Sequence, residues 1–204
     1  MNYTLALSFS DIMSRGGPVM WLLLALSVLA VTLLLERGWF YMQTNSSGRL
    51  GRVREIGKRI RAGDREGAKA IAQTDRSIYG QAAAAMLDEK LTEAAAVEAI
   101  ETQRARLERF LPTLSTIITA APMLGILGTV IGIIRAFNVL SLERNEMDLN
   151  MLAGGIAEAL ITTAGGITVA LITLFPYNGL RAQVDRSLSR LETLAAAAMH
   201  RQEP

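Results

Sequence analysis

Three long apolar runs constrain this chain more than any other feature. The first, Pro18 to Leu35, carries no charge and ends abruptly at Glu36-Arg37. The second, Leu114 to Ile134, is also uncharged and is bounded by Arg135. The third, Met151 to Phe175, contains one ionisable residue, Glu158. A spanning helix needs roughly 17–25 mostly apolar residues, so each run is long enough to cross a bilayer. Within hydrocarbon every backbone N–H and C=O must find its partner internally, which leaves helices or closed barrels. Runs of this length predict helices. With half of its 204 residues apolar, the chain is too apolar for an ordinary soluble domain of its size.

The first run does not read as a signal peptide. Its flank holds Asp11 and Arg15 rather than a basic cluster, and its apolar stretch exceeds an h-region of about 7–15 residues. Lysine and arginine are unevenly placed. Arg15 alone precedes the first run, and Arg144 alone lies between the second and third beyond the bordering Arg135. The segment from Arg37 to Arg109 is rich in both, and Arg181, Arg186, Arg190 and Arg201 follow the third run. The positive-inside rule therefore predicts a multi-pass protein with its N-terminus outside, and with the large middle segment and C-terminus in the cytoplasm. Trp21, Trp39, Phe40 and Tyr41 flank the first run as interfacial aromatics do.

The expected organisation is an interfacial amphipathic helix over 1–17, a first span over 18–36, and a cytoplasmic helical region over 37–110. A second span over 111–139, an external loop over 140–150, a third span over 151–178 and a cytoplasmic helical tail over 179–204 follow. Leu5, Phe9, Ile12 and Met13 give the first segment its helical spacing. Residues 43–51, with Asn45-Ser46-Ser47-Gly48, read as a loop. Short helices are expected from Arg52 to Arg61, after an N-cap at Asp64, and from Ser77 to Lys90. From Thr92 the pattern stays helical to Val139, which predicts one helix on the order of 70 Å long. Leu180, Val184, Leu188, Leu191 and Leu194 continue the third span at helical steps. The fold class is thus an all-α integral membrane protein with two spans extended into a cytoplasmic helical bundle.

Several function classes are disfavoured. There are no cysteines, and the single histidine, His200, lies in the tail, so no metal site or cofactor is expected. No nucleophile–base set or phosphate loop points to an enzyme. The basic cluster from Arg49 to Arg76 is interleaved with Glu55, Asp64, Glu66 and Asp75. Without a recognition motif it reads as a topology determinant rather than a nucleic-acid patch. No internal inverted repeat suggests a solute transporter.

The chemistry lies inside the spans. An ionisable side chain at membrane depth costs several kcal/mol, roughly 2.5–3.5 on insertion scales, and is by default a functional candidate. Glu158 shares a helical face with Gly154, Thr162 and Gly165, whereas Thr163 lies about 140° away. In the second span Gly125, Thr129 and Gly132 share a face, and Gly128 with Gly132 forms a Gly-x-x-x-Gly that permits close backbone approach. The glycines read as packing positions. Thr129 has two readings: a bond to its own i−4 carbonyl, or a hydroxyl presented to a water path or to another helix. Glu158 also has two. It lines a proton route, or it pairs with Arg135 of an antiparallel neighbour, which would hold it ionised.

Three motifs resemble the ExbB/TolQ/MotA proton-channel family, in its ExbB/TolQ branch. They are Leu-Glu-Arg-Gly-Trp at 35–39, Ala-Pro-Met-Leu-Gly-Ile-Leu-Gly-Thr-Val-Ile-Gly-Ile at 121–133, and Gly-Ile-Ala-Glu-Ala-Leu-Ile-Thr-Thr-Ala at 155–164. The likeness covers nearly the whole chain. It implies a bacterial inner-membrane subunit of a homopentameric ring, with two copies of an ExbD- or TolR-like single-span protein in its pore. In such a complex the partner's aspartate carries the proton. Thr129 and Thr163 would surround it, and Glu158 would line the route nearer the outside, with Thr162 as an added hydroxyl. Proton flow would then energise an outer-membrane process through a TonB- or TolA-like transducer. Arg135 departs from the pattern expected of this branch, and the longer insertions of the flagellar MotA branch are missing. The alternatives are a TolQ-like role in envelope integrity and division, and a membrane scaffold with no ion path.

Overall fold

The computed structural model describes residues 13, 16–88, 93–142 and 149–199. Among them regular structure is entirely helical, in seven helices: α1 Gly17–Thr44, α2 Ser47–Ala62, α3 Arg65–Thr74, α4 Ile78–Asp88, α5 Glu93–Leu107, α6 Leu111–Leu142 and α7 Leu149–Met199. Three of these, α1, α6 and α7, are long and apolar enough to cross a membrane. The chain is an all-α integral membrane protein. The expected interfacial helix over 1–17 falls almost wholly outside the described residues. So do Thr92, His200 and most of the loop expected over 140–150.

The helices form two compact units. One takes in residues up to Leu34 and Thr113–Tyr177. Its core joins Met13, Met20 and Leu23 to Ala121 and Ala170, with Leu124 and Ile161 packed against them. Small residues on α6 and α7 bring those backbones together. The larger apolar side chains point outward: Leu22 and Val28 on α1, Met123, Ile126 and Phe137 on α6, Leu160 and Phe175 on α7. In water such a surface would mark an interface. Around membrane helices it suits lipid or neighbouring subunits.

The second unit comprises Leu35–Pro112 and the chain from Asn178. Here α3 packs on α2, α4 on α3 and α5 on α4. Leu180, Val184, Leu188, Leu191 and Leu194 of α7 are buried, as are Val53, Ile56 and Ile60 of α2. Asp64 caps α3 by accepting a bond from the Gly67 N–H at 2.9 Å. Gly63, at φ 86°, ends α2 in the left-handed conformation that glycine tolerates best. A polar network threads this core. Asn45 Oδ1 accepts from the Tyr79 hydroxyl at 3.0 Å and from Arg190 at 2.9 Å, and the Tyr79 oxygen lies 3.1 Å from Ser187 Oγ.

Two expectations are corrected. The single helix from Thr92 to Val139 is instead two, broken over residues 108–110, with Phe110 at φ 68°. Pro112 explains where the second begins, because its missing N–H costs nothing in the first turn of a helix. Side chains of α1 hold the first one's end. The Arg37 guanidinium donates to the Arg106 carbonyl at 3.1 Å, and the Tyr41 hydroxyl donates to the Leu107 carbonyl at 2.7 Å. These are the orphan carbonyls of a helix C-terminus. Arg37 is buried, paired with Glu36, and stacked on Phe40 at 4.7 Å and Phe110 at 5.2 Å. The loop expected over 43–51 shrinks to Asn45 and Ser46, because α2 starts at Ser47 and tolerates Gly48 and Gly51 in its first turns.

Candidate functional site

The site is built on the contact between α6 and α7, whose facing residues run in antiparallel order. On α6 the buried stripe is Ala121, Gly125, Gly128, Gly132 and Ala136. On α7 Ala159, Thr162 and Gly166 are buried and Gly155 is half-buried. A methyl group added to Gly132 would lie 3.0 Å from the Ala159 Cβ, and one on Gly125 would lie 3.0 Å from the Thr162 carbonyl oxygen and the Thr163 Cα. One added to Gly128 would collide with the Thr162 side chain. This is the close backbone approach that small residues permit between membrane helices.

That stripe refines the packing residues read from the sequence. At Gly125, Gly128 and Gly132 an added Cβ would crowd α7. Gly165 faces α1, where a Cβ would stand 3.4 Å from the Met20 side chain. Among the described residues nothing lies within 4 Å of a Cβ built at Gly154. Its neighbour Gly155 makes the contact instead, against Ala136, and Gly166 lies against the backbone of Ala121 and Gly125. Neither is among the packing residues expected from the sequence. The signal was present, because Gly155, Ala159, Thr162 and Gly166 repeat at 4-, 3- and 4-residue steps.

The polar residues sit along this seam. Thr163 Oγ1 donates across it to the Gly125 carbonyl at 2.9 Å. Thr129 lies one turn along α6 from Gly125. Thr129 Oγ1 donates to the Ile126 carbonyl at 2.6 Å, an i−3 bond within its own helix. A hydroxyl has one proton and two lone pairs, so both oxygens remain acceptors. Thr162 is placed differently from its expected role. Only 1% exposed, it fills the notch left by Gly128 and donates to the Ala159 carbonyl at 2.7 Å. It packs between the helices and does not line an open face of this chain.

Arg135 and Glu158 come together, with Nη1 of the arginine 3.3 Å from Oε1 of the glutamate. Their side chains are 51% and 27% exposed, so the pair borders open space and is not sealed in the core. Gly17, at the start of α1, closes one side of it. A Cβ there would collide with Glu158 Oε1. The site therefore gathers one carboxylate, one guanidinium and two threonine hydroxyls along a seam inside apolar helices.

Residues 67–193 match the MotA/TolQ/ExbB proton channel family. This chain belongs to that family. Among its relatives is a Synechocystis biopolymer transport protein, ExbB-like 1. It is 38% identical over 178 residues, covering 81% of this chain and 68% of the relative. The Vibrio cholerae biopolymer transport protein exbB1 is 28% identical over 196 residues, 91% of this chain and 84% of that protein. The Tol-Pal system protein TolQ of Haemophilus influenzae is 43% identical over a shorter stretch of 79 residues, 39% of this chain and 34% of TolQ. Both branches expected from the sequence motifs are thus among the relatives of this proton-channel family member.

Proposed function

We propose that this chain is an ExbB-type subunit of a proton-driven motor in the bacterial inner membrane. Five copies would surround two copies of an ExbD- or TolR-like partner. The N-terminus lies outside and the C-terminus in the cytoplasm, as the distribution of lysine and arginine favours. The observation that carries this reading is the polar seam itself: Glu158, Thr129 and Thr163 on two packed apolar helices of a proton-channel family member. Intramembrane carboxylates are expensive and mark ion paths. Hydroxyls with free lone pairs can accept a bond from a protonated carboxyl passing on a partner helix. In this mechanism the partner's aspartate carries the proton, Thr129 and Thr163 flank it, and Glu158 lines the outer approach. The resulting motion energises outer-membrane transport through a TonB-like protein. The TolQ relatives keep open a TolA-coupled role in envelope integrity, which uses the same chemistry.

Proton uptake by liposomes holding the subunit and its partner tests the proposal. Glu158→Ala and Thr163→Ala are each expected to abolish most of the flux, and full flux in either variant would remove that residue from the path. The 3.3 Å pair favours a second reading, a non-conducting scaffold in which Arg135 fixes Glu158. A charge swap, Arg135→Glu with Glu158→Arg, separates the two. It restores function if the pair is only structural, and leaves the complex without flux if Glu158 serves the proton.

A further inference from the structure

Three arginines from two helices of the second unit line one cleft of about 210 Å³: Arg54 and Arg61 of α2, and Arg190 of α7. Arg54, Gly57 and Arg61 recur at 3- and 4-residue steps, so they share a helical face. Gly57 lets that face approach α7, because a Cβ there would lie 3.3 Å from the Leu194 side chain. Buried Val53 and Leu194 form the apolar side of the cleft. Among the described residues no carboxylate lines it. The nearby acids Glu55 and Asp64 are both held by Arg59, each at 3.0 Å. Arg54 and Arg61 are exposed, so the cleft is reachable from solvent. Arg190 is held from behind. Its Nη1 donates to Asn45 Oδ1 at 2.9 Å and to the Tyr79 hydroxyl oxygen at 3.2 Å. Tyr79 is itself fully buried and bonded to buried Ser187. Both arginine bonds use Nη1, one of the three nitrogens that share five N–H donors. A guanidinium fixed in this way loses little further freedom when a ligand arrives.

We propose that this cleft binds a phosphate group, with Arg190 as its anchor and Arg54 and Arg61 closing on it from α2. The planar guanidinium fork matches phosphate oxygens in pairs. A carboxylate brings one charge and two oxygens to three arginines. A phosphate monoester brings a charge of about −1.5 to −2 and three acceptor oxygens, which suits the set better. Two sources carry this group, the headgroup of an anionic lipid and a soluble phosphate compound, and the arginines would recognise either by the same chemistry. The site is separate from the polar seam of α6 and α7, and its occupancy does not depend on proton flow there.

The test is binding to the full chain in an uncharged detergent, measured by thermophoresis with two probes, inorganic phosphate and dioctanoyl phosphatidic acid. Dioctanoyl phosphatidylcholine is the zwitterionic control. Saturable binding of at least one probe is expected. Phosphatidic acid binding at least about tenfold tighter than phosphate assigns a lipid source, and comparable or tighter binding of phosphate a soluble one; both support the site. Arg190→Gln is expected to weaken binding about tenfold, the loss of a hydrogen bond to a charged group. Arg54→Gln with Arg61→Gln gives a similar loss while leaving the bonds among Asn45, Tyr79 and Arg190 in place, which covers the case in which Arg190→Gln disturbs folding. Lys58→Gln removes the same charge from an exposed position of α2 outside the cleft and changes affinity by less than about twofold. Failure of both probes to bind saturably overturns the proposal. So does an equal loss in Lys58→Gln, or equal binding of phosphatidylcholine. Arginine variants that change the mass of the purified assembly, with neither probe bound by the original chain, would identify an acidic side chain of a second copy as the occupant and overturn it as well.

Discussion

Gly166→Ala is the sharpest test of the α6–α7 seam. A methyl group at this position would strike the Ala121 carbonyl oxygen and lie 3.1 Å from the Gly125 Cα and 3.2 Å from the Ala121 carbonyl carbon. All three neighbours are backbone, so no rotamer change relieves the contact and the helices must separate. Overpacking of this kind costs about 1–3 kcal/mol. A change from glycine to alanine inside a helix also removes a backbone-entropy penalty of about 0.5–1 kcal/mol, which would mask part of the loss. Gly154→Ala supplies the correction. It lies on the same helix with nothing among the described residues within 4 Å of an added Cβ, so it shares the entropy gain without the clash. The difference between the two variants isolates the steric cost. For a protein of this size about 1–3 kcal/mol is roughly 2–12 °C in the unfolding midpoint. Thermal unfolding of both variants in detergent, followed by circular dichroism, gives that difference. Equal midpoints would refute the close approach of these backbones. A lower midpoint in Gly154→Ala than in Gly166→Ala would reverse which glycine faces α6.

Two further substitutions probe the second unit. Tyr41→Phe removes the donor to the buried Leu107 carbonyl at the end of α5. It is expected to destabilise by about 1–3 kcal/mol, the cost of an unsatisfied buried acceptor, and a loss under about 0.5 kcal/mol in denaturant unfolding would contradict the capping role. Asp64→Ala removes the α3 cap and is expected to cost about 1 kcal/mol, whereas Asp64→Asn retains most of the stability; equal losses in both would point to the Arg59 ion pair instead.

The α5–α6 break shows how local and distant information divide. Phe110-Leu111-Pro112 carries a readable signal, since proline favours the start of a helix. The 3–4-residue apolar rhythm runs through those positions undisturbed, and periodicity alone extends the helix across them. What ends α5 is supplied from about 66–69 residues away, by Arg37 and Tyr41 of α1. No local pattern around residue 110 carries that information. The same holds for Thr162. Its hydroxyl beside that of Thr163 suggests a shared polar role, yet one faces the notch at Gly128 and the other the Gly125 carbonyl.

Sequence by itself determined that this chain is helical and membrane-spanning, because the cost of bare backbone in hydrocarbon leaves long apolar runs no other use. It also singled out Glu158, since one charge among apolar residues is visible without coordinates. Only the tertiary structure decided which glycines pack, that Thr162 fills space, and that the carboxylate lies beside Gly17 and Arg135. Those outcomes depend on the register and phase of α6 against α7 and on the turn that begins α1. A helix-to-helix register is set by side-chain contacts between segments far apart in the chain, and periodicity within either segment leaves it undetermined.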